Sequence, residues 1–365
     1  MPVPIDSTLG ILGDNLRQRR SALPLGRRRA TAWARGLNLP HGGPTVLYTG
    51  QMWQMVPAIN AMSRQLGKYE GRDSARLFRI ARRMNRWVNL TPFLARSNRP
   101  ERQAYDGRLQ NIARLLRAAG IEFGYLYEKD LYTGALAHDE GLDRVFIDHA
   151  RYVFETLKGA GVQRVITVDP HTTNMLRSVY PKVVPGFDLE VQSYLEVLAE
   201  RKLAPLANLG DTVTLHDSCV YARYEGVIEP PRELLAAGGV TLAQPELSGK
   251  LTFCCGGPLE TLFPGKSSEI ARKRVDQLSA CSSKIVTACP LCLANLSRVA
   301  PKGVEVRDIS EYLSKAFLPG PAPPVRPGES SASEAPPGPA SGRGAPTHRQ
   351  GLPGFPSPDQ AKAQA

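Results

Sequence analysis

Cysteine is the residue whose placement in this sequence points to chemistry. Cys219 stands alone, Cys254 and Cys255 are adjacent, and Cys289 and Cys292 form a C-x-x-C pair. Thiolates bind the iron of iron–sulfur clusters, and they also bind zinc. Because the six cysteines all fall after residue 218 rather than being spread along the chain, they indicate metal or redox chemistry, not a disulfide framework.

Three interpretations of these cysteines follow from the residues alone: an iron–sulfur cluster, a structural zinc ion, or unrelated buried thiols. Zinc sites usually take four ligands, often as two C-x-x-C pairs. This sequence offers five thiols and a single such pair, so the iron–sulfur interpretation is favoured. Cys281 lies outside the pattern, near the end of a predicted helix, and we expect a packed core thiol there rather than a ligand.

The segments that must position the thiols alternate between strand and helix patterns, which predicts an α/β fold with largely parallel sheets. Strands are predicted at 45–48, 121–126, 164–168, 213–215, 251–253 and 284–287, and helices at 139–158 and 267–280. Each thiol-bearing turn follows a predicted strand, so the three turns should meet at one sheet edge, where open α/β sheets place ligands. The helix start after Cys289 also favours the thiolate form.

The same order of turns occurs in both halves of the sequence, which indicates an internal repeat. The corresponding turns are 48–51 and 216–219, 132–134 and 254–256, and 167–172 and 287–292. Where the second half has thiols, the first half has Gln51, Tyr132, Thr133, Asp169 and Thr172. Asp169 and His171 are possible metal ligands, but as an isolated pair we expect them to be ordinary hydrogen-bonded groups.

The order C, then C-C-G, then C-P-x-C resembles the cysteine-rich CCG domain of the heterodisulfide reductase family. The resemblance covers about residues 44–318, and His216-Asp217-Ser218-Cys219 is similar to the His-Asp-Pro-Cys of that family. It implies two tandem CCG-type domains, of which the first copy is degenerate. It also implies one noncubane [4Fe-4S] cluster per chain, bound by Cys219, Cys254, Cys255, Cys289 and Cys292.

The resemblance further implies an enzyme subunit: an iron–sulfur oxidoreductase that reduces or oxidises a disulfide or thiol substrate within an electron-transfer complex. The alternative is an electron-relay subunit of an organic-acid or glycerol-phosphate oxidising complex, and a structural zinc protein is a third class. Many members of the family carry a ferredoxin-like cysteine segment before the first copy, and this sequence shows none. We therefore expect a separate ferredoxin-like or membrane-bound redox subunit as partner.

Positive charge is unevenly distributed in a chain of net charge +12. Residues 72–117 hold twelve Arg against three acids, and residues 1–44 hold seven Arg against two. These arginines form either a solvated helix face or a docking surface for an acidic protein or anionic substrate. Nucleic acid is not an expected partner, since no interleaved aromatics or known motif accompany the charge.

The composition predicts four segments. These are a basic N-terminal segment 1–43, a degenerate CCG-type domain with an Arg-rich helical insertion 44–205, a cluster-binding CCG domain 206–318, and a disordered Pro/Gly-rich tail 319–365. The tail holds 12 of the 31 prolines and has few apolar side chains to bury. No apolar run long enough to span a membrane and no signal-peptide layout is present. We therefore expect a cytoplasmic location, or one at the inner face of the membrane through a partner subunit.

Overall fold

A computed structural model describes residues 4–69, 74–89, 95 and 97–319. The predicted disordered tail, apart from its first residue, lies outside the described residues. The described residues all belong to one unit, Met1–Gly320.

In the described part of the chain, seven strands form two sheets, and all the pairings between these strands are parallel. The first sheet has the order β1-β2-β3, from β1 (Thr45–Tyr48), β2 (Arg164–Thr167) and β3 (Glu190–Ser193). The second has the order β5-β4-β6-β7, from β4 (Thr212–His216), β5 (Thr241–Leu242), β6 (Lys284–Thr287) and β7 (Glu305–Asp308). The α/β class with parallel sheets is thus confirmed.

Helices connect and cover these strands. In the first half they are α1 (Ile5–Arg19), α2 (Arg27–Ala30), α3 (Met52–Leu66), α4 (Ala75–Trp87), α5 (Arg99–Ala118), α6 (Ala135–Asp139), α7 (Asp143–Gly159), α8 (Pro170–Asn174), α9 (Tyr180–Val183) and α10 (Tyr194–Arg201). In the second half they are α11 (Glu229–Ala237), α12 (Pro264–Ser279), α13 (Pro290–Val299) and α14 (Ile309–Phe317). Short π-helices occupy Met175–Val179 and Val220–Glu225.

The internal repeat is visible in the topology, because β1, β2 and β3 correspond in order and direction to β4, β6 and β7. The strands β2 and β6 each lead into a helix with proline at its first position, α8 and α13. The middle turns also match, since Gly134 and Gly256 both adopt left-handed backbone conformations, with φ of +85° and +78°. Each of these glycines precedes a helical segment.

Two predicted strands are wrong. In the segment 121–126 only Gly124 and Tyr125 form isolated parallel bridges, to Val46 and His41. The segment 251–253 follows a 3-10 turn, Gly249–Leu251, and belongs to no strand. Three real strands were missed, β3, β5 and β7, because they are short and half-polar and carry little hydrophobic periodicity.

The two predicted CCG-type domains share one hydrophobic core. Buried side chains from the first sheet, such as Leu47 and Ile166, belong to the same cluster as Leu215 and Val286 of the second sheet. Near the C-terminus, α14 packs against α5 of the first half. Of the other two clusters, one has all its buried members in the first half and one in the second. The boundary near residue 205 therefore stays a prediction, with one shared cluster across it.

Candidate metal centre

The neighbouring strands β4 and β6 bring two of the three thiol-bearing segments together. Their parallel register pairs His216 with Thr287 at the carboxyl end of the sheet. Cys219 follows β4 and begins the π-helix Val220–Glu225. Cys289 follows β6 as the N-cap of α13, which places Cys292 in the first turn of that helix.

The turn that carries Cys254 and Cys255 follows no strand, contrary to the sequence-based expectation. It is fixed instead by side chains from two helices. Asn295 Nδ2 donates to the Cys255 carbonyl at 2.9 Å, and Ser267 Oγ donates to the Gly256 carbonyl at 2.8 Å. A Cβ on Gly256 would lie 2.7 Å from the Ser267 carbonyl oxygen, so this close approach requires glycine.

The five predicted ligands form one continuous chain of sulfur contacts. Each sulfur lies close enough to the next to shift its pKa, in the order Cys219, Cys254, Cys255, Cys292 and Cys289. Cys255, Cys289 and Cys292 are buried, whereas Cys219 and Cys254 are half-buried. The structure thus brings all five thiols together and leaves one side of the group nearer to solvent.

Two of these thiols have a pKa below its ordinary value. Hydrogen bonds from Cys219 and Cys255 lower the pKa of Cys254 to about 2, and its sulfur also accepts from the Gly256 N–H at 3.3 Å. Burial alone would raise the pKa of Cys289, but hydrogen bonds from Cys292 and His171 bring it well below its ordinary value. Metal ligation requires deprotonated thiols, so the surroundings of Cys254 and Cys289 already favour the ligating form.

His216 is a candidate ligand that the sequence analysis did not assign. One of its ring nitrogens lies within 4.8 Å of the sulfurs of both Cys255 and Cys292. Its Nδ1 accepts a hydrogen bond from Arg274 Nε at 3.2 Å, and its buried Nε2 has no partner in the described part of the chain. Burial, followed by the charge of Arg274, lowers the pKa of His216 to about 3, so the ring is neutral near pH 7.

Arg274 on α12 is fully buried beside the thiols. Its other nitrogens donate to Gln277 Oε1 at 3.0 Å and Thr252 Oγ1 at 3.4 Å. Among the described residues no carboxylate forms an ion pair with it. Burial lowers its pKa, whereas the charge of the nearby Asp217, followed by that of Cys292, raises it. A buried cation without a carboxylate partner suits a site that gains negative charge.

The ligand-free first copy contributes one direct contact to the thiols. His171 of α8 hydrogen-bonds Cys289, and although burial opposes its protonation, this thiolate raises the His171 pKa to about 9. Asp169 instead accepts from the N–H and hydroxyl of Thr172 at 3.0 and 2.6 Å. The expectation of an ordinary hydrogen-bonded group therefore suits Asp169, whereas His171 lies against a predicted ligand. The sequence offered no signal for that contact.

Cys281 lies apart from the sulfur chain, but it is exposed and not a packed core thiol as expected. Its sulfur lies 3.8 Å from the carbonyls of Gln244 and Gln277. It follows the end of α12, and none of the five predicted ligands is within hydrogen-bond reach of it in the described structure.

Contacts between the two repeats close one side of the site. Arg177 pairs with the buried carboxylate of Glu225 at 2.7 Å and with Glu196 at 2.8 Å. The Tyr221 hydroxyl, two residues after Cys219, lies 2.8 Å from Ser193 Oγ at the end of β3. The first repeat therefore covers the π-helix that begins at Cys219.

An apolar cavity of about 340 Å³ lies beside the thiols. His171, Gly257 and Leu291 line one end of it, and side chains of α1, α3, α4 and α6 line much of the remainder. Most of the lining side chains are apolar, but Asp139, Glu260 and several uncharged polar side chains also line the cavity. No lysine or arginine is among the described residues that line it.

The donor set fits an iron–sulfur cluster. Five converging thiols exceed the four ligands of a structural zinc site, and soft sulfur donors in a largely buried pocket suit iron–sulfur ligation. His216 adds a sixth possible ligand. Binding of a metal by its buried Nε2, which has no hydrogen-bond partner in the described part of the chain, would satisfy a polar atom that is otherwise unfavourable to bury.

The segment that carries the five thiols is similar to a known domain family. Residues 213–297 match the family of CCG cysteine-rich domains. The chain is 34% identical over 232 residues to the probable iron-sulfur-binding oxidoreductase FadF of Bacillus subtilis, covering 59% of this chain and 33% of that protein. It is 31% identical over 237 residues to the EtfAB:quinone oxidoreductase of Syntrophomonas wolfei, covering 59% and 33%.

A third similarity is to one subunit of the dihydromethanophenazine:CoB--CoM heterodisulfide reductase of Methanosarcina acetivorans, 28% identical over 220 residues, covering 56% of this chain and 54% of that one. The chain thus spans about a third to a half of the length of these relatives. It carries a CCG domain and is homologous to iron–sulfur oxidoreductases, which confirms the resemblance drawn from the cysteine pattern. No helix among the described residues is long and apolar enough to cross a membrane.

Proposed function

We propose that this chain is an electron-transfer subunit of an iron–sulfur oxidoreductase and that Cys219, Cys254, Cys255, Cys289 and Cys292 bind its cluster. The observation that carries the proposal is the convergence of all five sulfurs from three separate segments into one chain of contacts. The homology to proteins named as iron–sulfur oxidoreductases supports it. The matching domain family supports a single cluster in the second repeat.

The finer proposal is one noncubane four-iron four-sulfur cluster per chain, as the family resemblance implies. Such a cluster supplies one-electron redox chemistry when bound. The chain's own residues hold it and set its surroundings. Asn295 and Ser267 fix the Cys255 turn, Arg274 supplies a buried positive charge, and His171 donates a hydrogen bond to the Cys289 sulfur.

Metal analysis of three single variants tests the ligand assignment. Anaerobically purified protein should contain iron and acid-labile sulfide and absorb broadly in the visible range. Cys254→Ala and Cys289→Ala should each lose most of the iron, because a removed thiolate both deletes a ligand and opens the site. Cys281→Ala is the matched control and should keep it. Zinc without sulfide in the unmodified protein, or full iron in both ligand variants, would contradict the proposal.

A second candidate function is reduction or oxidation of a disulfide or thiol substrate. It is favoured by the half-buried sulfurs of Cys219 and Cys254, which leave one side of the group reachable, and by homology to the heterodisulfide reductase of Methanosarcina acetivorans. Disulfide reduction takes two electrons and yields two thiols, so a one-electron donor must act twice. Candidate thiols added to oxidised protein should change the electron paramagnetic resonance spectrum. If no thiol changes the spectrum while a donor still reduces the cluster, the disulfide function is contradicted and electron transfer is the remaining function.

We propose that the electron donor is a separate acidic redox protein and that it docks on a groove between α2 and α5. Arg28, Arg35, Arg99 and Arg102 line this groove, and its Arg29 is already paired with Asp106 at 2.7 Å. Changing the first four arginines to Gln should slow reduction by the donor and weaken its salt dependence. An unchanged rate of reduction by the donor at low ionic strength would contradict this docking site and favour the interpretation of these arginines as a solvated helix face. A cytoplasmic location of the complex belongs to this proposal as well.

A further inference from the structure

Helix α4 presents an apolar face to solvent. Leu77, Ile80 and Met84 are 50%, 50% and 53% exposed, and Trp87 at the end of the helix is 86% exposed. At about 100° per residue these side chains, with the exposed Val88, fall within an arc about 100° wide. The opposite pattern is normal for a helix on a folded domain, where the apolar side is the buried one.

The buried side of α4 is accounted for by other contacts. Phe78 and Asn85 are buried, and the helix packs against α1. Arg82 and Arg86 both pair with Asp14 of α1, at 3.2 and 3.0 Å. These contacts fix the rotation of α4 and hold its apolar arc outward.

Arginine borders the exposed apolar arc. Arg76, Arg79 and Arg83 are exposed and have no ion-pair partner among the described residues, and the helix contains no acidic residue. An apolar strip with arginine along its edge and tryptophan at its end is the composition of helices that lie in the interface of a bilayer. Neither a solvated face nor a docking surface for an acidic protein, the two interpretations drawn from sequence, accounts for the exposed apolar side chains.

We infer that α4 docks this protein directly on an anionic lipid bilayer. Its arginines contact the lipid headgroups while Leu77, Ile80, Met84 and Trp87 enter the interface. A second copy of this chain is a poorer occupant, because pairing the same faces would oppose two sets of arginines. This mode of attachment needs neither a membrane-spanning helix nor a partner subunit, and it does not depend on the cluster assignment.

The cavity beside the thiols supports this occupant. Leu77 of the exposed arc also lines this cavity, together with Phe78 and Ala81, so the exposed arc of α4 and the cavity meet at Leu77. Docking through α4 would turn the exposed arc toward lipid rather than water, and removing apolar surface from water is favourable.

Tryptophan gives a direct reporter for the test. The chain has three tryptophans, of which Trp33 and Trp53 are fully buried and Trp87 is exposed. Holo-protein should float with phosphatidylcholine vesicles containing one quarter phosphatidylglycerol, and less with pure phosphatidylcholine vesicles. Brominated acyl chains should quench the emission of the unmodified protein but not of a Trp87→Phe variant that still floats.

Two variants separate the apolar contribution from the charge contribution. Ile80→Gln with Met84→Gln should abolish both flotation and quenching. Changing Arg76, Arg79 and Arg83 to Gln should lower the vesicle affinity by at least about tenfold, since each arginine near an anionic surface contributes a several-fold gain. A control with the same loss of charge at the exposed Arg151, Arg201 and Arg272 should bind almost normally.

Several results would overturn the inference. One is no flotation with anionic vesicles. Another is equal loss of binding in the two arginine variants, which would indicate general cationic adsorption. A third is a dimer in solution that the Ile80 and Met84 changes dissociate, which would make a second copy the occupant. Iron content and the visible spectrum should be the same in all variants, so a failure here is separable from a failure of the cluster assignment.

Discussion

The buried guanidinium of Arg274 should set the reduction potential of the proposed cluster. Its Nε lies 3.2 Å from His216 Nδ1, and a ring nitrogen of that histidine lies within 4.8 Å of the Cys255 and Cys292 sulfurs. The cation is therefore at most about 10 Å from these two sulfurs, and at that distance a unit charge in an effective dielectric of about 20 is worth roughly 2 kcal/mol. A reduced cluster carries one more negative charge, so the cation favours reduction.

Removing that charge should lower the midpoint potential. For a one-electron couple the interaction corresponds to roughly 80 mV, and we expect Arg274→Gln to shift the potential downward by about that amount. Arg274→Lys keeps a cation in place and should shift it by much less. The assay is a redox titration followed by electron paramagnetic resonance, on samples first matched for iron content and thermal unfolding.

The result that would refute this reasoning is an equal shift in the Gln and Lys variants, because packing or lost hydrogen bonds would then be responsible rather than charge. A shift below about 20 mV in Arg274→Gln would show that solvent screens the site far more than its burial implies. An upward shift of the midpoint potential in Arg274→Gln would show that the guanidinium does not favour reduction of the cluster.

Three further predictions concern the scaffold. Gly256→Ala and Gly134→Ala should each lower the free energy of unfolding by about 1–2 kcal/mol because both positions have positive φ, but only Gly256→Ala should also reduce iron content. Arg177→Ala should cost about 3 kcal/mol in chemical denaturation because it strands the buried Glu225 carboxylate, and adding Glu225→Gln should recover part of that loss. Burial raises the pKa of Asp130 to about 7, far above its ordinary 3.8, so its contribution to stability is present below pH 4 and is lost as the pH rises to 7. Asp130→Asn should reduce the fall of the melting temperature between pH 4 and pH 7. An unchanged slope of melting temperature against pH would contradict the argument from burial.

The sequence predicted the elements that carry strong local signals. The apolar strands β1, β2, β4 and β6 were found, and the repeat was recognised from its turns. The strand β7 was missed because its four residues, Glu305–Asp308, are only partly buried and alternate too briefly for periodicity to register. The strand predicted at 251–253, before the middle cysteine turn, is absent. Contacts from α12 and α13 fix that turn instead, and such tertiary contacts leave no local pattern.

The candidate site divides in the same way. The five cysteines could be found because thiols at short intervals are rare and chemically specific. His216 stands three residues before Cys219 in the quoted His-Asp-Ser-Cys motif, which marks its position but not its approach to Cys255 and Cys292. Arg274 and His171 come from a helix interior and from the other repeat, and no spacing rule links them to the thiols. Their relation to the thiols exists only after folding, and so only the structure could assign it.

The shared hydrophobic core also constrains how the chain acquires its structure during synthesis. Arg108 of α5 contacts Glu311 of α14 at 2.7 Å across 203 residues of sequence, so the core of the first repeat is complete only when almost the whole folded unit has left the ribosome. Contacts of such long sequence separation form late because loop closure must precede them. All five thiol ligands emerge before α14 does. The cysteine loops are therefore made while the core behind them is still open, and a chain that stalls before residue 309 would expose thiols and apolar surface together.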